Sequence, residues 1–73
     1  MGEIMTRVFK VTAQRSEGWW ALTFPGHQGW FSQGKDEVEV EIMARDLIHF
    51  DLGIPLEDIQ LDITYLKDTS VAL

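Results

Sequence analysis

The side chains with reactive potential are few and widely spaced. His27 sits in a glycine-rich segment, Pro25-Gly26-His27-Gln28-Gly29, with no nearby acid to orient it. His49 falls in a segment of helical pattern. Neither imidazole is spaced with a second imidazole or a carboxylate as a zinc or iron site requires. Ser32 lacks the sharp strand-to-helix turn that exposes a nucleophilic serine. Gly34-Lys35-Asp36 comes nearest to a phosphate loop, but Asp36 would repel phosphate, and turns explain the glycines better. The chain has no cysteine, so thiolate chemistry and disulfides are both absent. These features predict a protein that is not an enzyme and carries no metal or cofactor.

What remains is chemistry of association. Lys and Arg number 6 against 12 Asp and Glu, a net charge of −6. That field repels a free polyanion and attracts a basic partner. The three tryptophans, Trp19, Trp20 and Trp30, could stack bases, but a stacking platform also needs a positive groove. Arg7, Lys10 and Arg15 are too few to supply one beside an acidic helix. Direct nucleic-acid binding is therefore not expected, and packing in the core or against a partner is the better use of the tryptophans.

The elements that position these residues follow from periodicity. Arg7 to Ala13 alternates, with Phe9, Val11 and Ala13 on one face, which predicts a strand. Ser16-Glu17-Gly18 predicts a turn, and Trp19 to Phe24 a second strand in an antiparallel hairpin. After the Pro25–Gly29 break, Trp30 to Gln33 predicts a short third strand that ends at Gly34. Asp36 is a helix N-cap, with Glu39 at the capping-box position. The helix should run to about Phe50, with Gly53 beyond its end and Pro55 preventing continuation. Ile59, Leu61, Ile63 and Tyr65 alternate with polar residues and predict a fourth strand. The expected fold is α+β, in the order βββαβ, with an antiparallel three- to four-stranded sheet and one helix packed on one face. Residues 1–73 form one domain with a core of about 6–66, and 67–73 are expected to be a loose tail.

On that helix, Val40, Met43, Ala44, Leu47 and Phe50 share the face expected to pack on the sheet. Val38, Ile42, His49 and Leu52 gather on the other side, around Arg45. A lone helix on a sheet should be polar there. Either these residues tuck under loops, or they form a contact surface for another chain. A domain this small gains stability from self-association, so a homo-oligomer, dimer or larger, is expected.

The segment from Gly18 to Gly34 resembles the signature of HicB-like antitoxins. That family shows an aromatic strand, a Pro, a short turn, a Gly, then Ser/Thr-Gln-Gly and a capped helix that opens with a Glu-Ala pair. Pro25, Gly29, Gln33 and Gly34 match, Asp36 stands at the cap, and Glu39-Val40 falls where Glu-Ala is usual. Gln28 replaces the second Pro of the turn, and Trp30 a Cys or small residue. The resemblance spans about Arg7 to Tyr65 and implies a partly degraded RNase H-like fold. A two-metal nuclease would need carboxylates converging from adjacent strands. The first three strands carry none, so Asp62 and Glu39 would be left without partners.

The resemblance implies an antitoxin that binds and covers a small basic, mRNA-cleaving toxin of the HicA-like kind. Glu37, Glu41, Asp46 and Asp51 would attract it, with Arg45 and His49 on the same surface and Val38, Ile42 or Trp30 as apolar anchors. The alternative is a stand-alone oligomeric module of the same fold, binding another protein or a small ligand without a toxin. Many family members continue into a C-terminal DNA-binding domain, which this sequence does not show. No apolar run is long enough to span a membrane, and residues 1–7 lack the pattern of a signal peptide, so a cytoplasmic location is expected.

Overall fold

A computed structural model describes residues 7–67. The expected loose tail therefore lies almost wholly outside the described residues. Strand β1 (Arg7–Ser16), β2 (Trp19–Thr23) and β3 (Phe31–Gly34) are followed by helix α1 (Glu37–Leu52), a single 3-10 turn (Leu56–Asp58) and β4 (Ile59–Leu66). The fold is α+β, with four strands in the order β3-β2-β1-β4 and one helix packed on the sheet.

β1 runs three residues further than its apolar alternation suggests, because the hairpin turn shrinks to Glu17-Gly18. Both turn residues have positive φ, 49° and 86°, so the turn twists with its strands. β1 pairs antiparallel with β2, and β2 with β3. β4 pairs parallel with β1, from Arg7 opposite Ile59 to Gln14 opposite Leu66. The sheet is thus mixed, where the sequence suggested an antiparallel one. The cause is the helix: three strands leave the chain at the far end of the sheet, and 16 helical residues (~24 Å) carry it back to start β4 in the direction of β1.

Phe9, Val11 and Ala13 of β1, Trp20 and Leu22 of β2, Phe24 and Ile59 form the sheet side of the core. The helix contributes Val40, Ala44 and Ile48, all fully buried. This corrects the helix face read from the sequence. Phe50, expected inside, is 90% exposed, Met43 is exposed, and Leu47 is only half-buried. Apolar residues occur at almost every phase of α1, so its periodicity did not set its rotation. Contact with the sheet selected the Val40-Ala44-Ile48 ridge at four-residue spacing.

Two local devices seat the helix. Asp36 Oδ1 accepts from Glu39 N at 2.9 Å, and Glu39 Oε1 accepts from Lys35 N at 2.7 Å. The acid reaches one residue beyond the N-cap, a variant of the capping box. Gly34 lets β3 approach closely, since a Cβ there would lie 2.9 Å from Val40 N. At the other end, Gly53 at φ 73° donates to His49 O at 2.8 Å and stops the helix. The sheet face away from α1 is solvated, with Thr23, Thr12 and Thr64 in one row beside Phe31.

Candidate functional site

α1 carries Glu37, Glu39, Glu41, Asp46 and Asp51 against one cation, Arg45, so its exposed surface is strongly acidic. It is also rich in exposed apolar side chains: Val38, Ile42, Met43, Phe50 and Leu52. A helix that is apolar all round belongs inside a structure. Here one side packs on the sheet and the rest is uncovered by the described residues. The structure divides the candidate residues between two flanks.

One flank overhangs β4. Glu37, Val38, Glu41 and Tyr65 bound a hollow of about 360 Å³. Tyr65 lies edge-on to Trp20, with ring centroids 5.0 Å apart. Burial pushes the Tyr65 phenol above its usual range, and the charges of Glu37 and Glu41 push it further in the same direction. Arg45 Nη1 lies 3.8 Å from Glu41 Oε1, and its Nε donates to Ile59 O at 3.4 Å, a long contact. His49 Nδ1 donates to Ile54 O at 2.7 Å. A carbonyl can only accept, so this nitrogen carries the proton. His49 thus ties the end of α1 to the following loop. Ile42 is 55% and Val38 71% exposed.

The other flank faces β3. Ser32, Met43, Asp46, Leu47, His49 and Phe50 line a groove of about 340 Å³. Beside it, the Trp30 indole donates to Asp51 Oδ2 at 3.0 Å. Trp30 also stacks on His27, at 4.1 Å and 7° between planes, and meets Phe24 edge-on. His27 and Trp30 thereby pin the Pro25–Gly29 loop, with its glycines at φ 89° and 91°, to the C-terminal end of α1. Trp20 is buried in the core and Trp19 is exposed.

The residues proposed from sequence are therefore not one patch. Glu37, Val38, Glu41, Ile42 and Arg45 gather above β4, while Asp46 lines the groove above β3, with Asp51 and Trp30 beside it. His49 bonds the loop before β4 and also lines the groove. Phe50 and Met43 were missed, because an apolar residue on an amphipathic helix is first assigned to its core. The available signal was that α1 has more apolar positions than one face holds. Among the described residues, no group of three or more His, Cys, Asp or Glu is placed to hold a metal ion, and no helix is long and apolar enough to cross a membrane. Compared with protein-family models, with curated proteins and with solved structures, the chain finds no significant match, so the likeness to HicB-like antitoxins rests on the residues quoted for it.

Proposed function

We propose that this domain acts by binding, and that its partner is a small basic protein, a HicA-like toxin that it neutralises as an antitoxin. One observation carries the reading. Phe50 is 90% exposed next to Met43 and Leu47, in a groove bordered by Asp46 and close to Asp51. An aromatic side chain held in water beside an apolar groove is a typical interface anchor, and the surrounding acids favour a cationic partner. Trp30 is tied to Asp51, so Phe50 and Met43 take over the anchoring role. The acids of α1 attract a cationic partner at long range, and the same negative field repels nucleic acid.

The test is calorimetric titration of the chain with the product of the neighbouring reading frame, at two salt concentrations. Phe50→Asp should weaken binding by roughly tenfold or more, equivalent to about 1.4 kcal/mol. Asp46→Lys should slow association and flatten its salt dependence. Binding that ignores both substitutions and salt would refute the proposal.

A second reading, a self-associating module of the same fold, is favoured by a different observation. β4 has β1 as its single sheet neighbour among the described residues, and Val38 and Ile42 stand exposed above it.

A further inference from the structure

We propose that two copies of this chain join edge to edge through β4, antiparallel about a two-fold axis, forming one eight-stranded sheet with the two α1 helices side by side above the seam. This rests on the self-association reading and specifies its surface, register and contacts.

The edge itself is the first argument. β4 is eight residues long and contains no proline, no lysine and a single charge, Asp62. Natural sheets protect long open edges with such residues, or keep the edge short. The opposite edge, β3, is only four residues long. On the helix side of β4, Leu61, Ile63 and Tyr65 are half-buried, and among the described residues no strand lies on their outer side.

Side-chain alternation and charge then select the register. Both helices lie on one face only if residues of equal facing pair, which leaves two long registers. One sets Asp62 against its own copy. The other pairs Ile63 with Ile63, Leu61 with Tyr65 and Asp62 with Thr64, and so avoids opposing carboxylates.

That register also brings unlike charges together. α1 runs opposite to β4: Glu37 and Glu41 share a hollow with Tyr65 near the end of the strand, while Arg45 reaches Ile59 at its start. Antiparallel pairing therefore sets Arg45 of one copy beside Glu37 and Glu41 of the other, twice per dimer. Val38 and Ile42, on the same flank, meet their counterparts over the seam. The pairing thus offsets part of the repulsion between two acidic chains.

Analytical ultracentrifugation of the whole chain tests this. The wild type should sediment at twice its 8.4 kDa mass. Ile42→Asp and Arg45→Glu change exposed or half-exposed residues and should raise the dimer dissociation constant by roughly tenfold or more while leaving the circular dichroism unchanged. Glu37→Arg with Glu41→Arg should restore the dimer in the Arg45→Glu background. In this cysteine-free chain, Ile63→Cys should oxidise to a covalent dimer, and Leu61→Cys should not, since its copies lie too far apart. A monomeric wild type, or a dimer indifferent to Ile42→Asp and to the charge exchange, overturns the proposal. Partner titration through Phe50 is read separately, so failure of either idea leaves the other measurable.

Discussion

Replacing Gly34 with alanine adds one methyl group where β3 passes under the first turn of α1. The new Cβ would stand 2.9 Å from Val40 N, 3.1 Å from Val40 Cα and 3.1 Å from Val40 Cγ2. Two of these atoms are backbone, so a side-chain rotation cannot relieve the contact. Either the helix must lift or the strand must sink, and Val40 is fully buried. Overpacking of this kind costs about 1–3 kcal/mol. For a domain of this length each kcal/mol lowers Tm by about 4–8 °C. The sign is informative, because Gly34 does not have positive φ. Without crowding, an alanine there would be neutral or stabilise by about 0.4–1 kcal/mol through the unfolded chain. Urea unfolding followed by tryptophan fluorescence and far-ultraviolet circular dichroism measures the difference. A midpoint equal to or above the wild type, at unchanged slope, would refute the close approach of β3 and α1.

Three further outcomes follow from the same structure. Ile48→Ala should cost about 2–5 kcal/mol, as a large side chain leaves a closed core, whereas Phe50→Ala should leave stability almost unchanged; paired chemical denaturation curves check the rotation of α1. Asp36→Ala should cost about 1 kcal/mol by freeing Glu39 N, which hydrogen exchange at the first turn of α1 would register as lost protection. Tyr65 is the sole tyrosine, so its phenolate absorbance reports one group. Its folded pKa is raised above 10.0, so the folded state holds the proton more tightly. Its stabilising contribution is therefore complete below that value and is lost as pH rises through the raised pKa. Glu37→Gln and Glu41→Gln should each move the titration midpoint down.

The sequence by itself determined the element order, since each element carries local signals. Alternation placed Phe9, Val11 and Ala13 on one face, Asp36 and Glu39 opened the helix, Gly53 closed it, and Gly18 marked the hairpin. It also determined the acidity of α1, because charge is a property of composition. Tertiary structure decided the rest. The direction of β4 depends on where a helix of given length returns the chain, which local pattern does not encode. The rotation of α1 was ambiguous, because apolar residues occupy nearly every phase. Only packing against β2, β3 and β4 chose Ile48 for the core and left Phe50 in water. The same packing split one apparent stripe of candidate residues into two flanks, over the β4 edge and over the β3 groove. Residues a few positions apart on a helix point in different directions, and what each direction meets depends on the sheet beneath it.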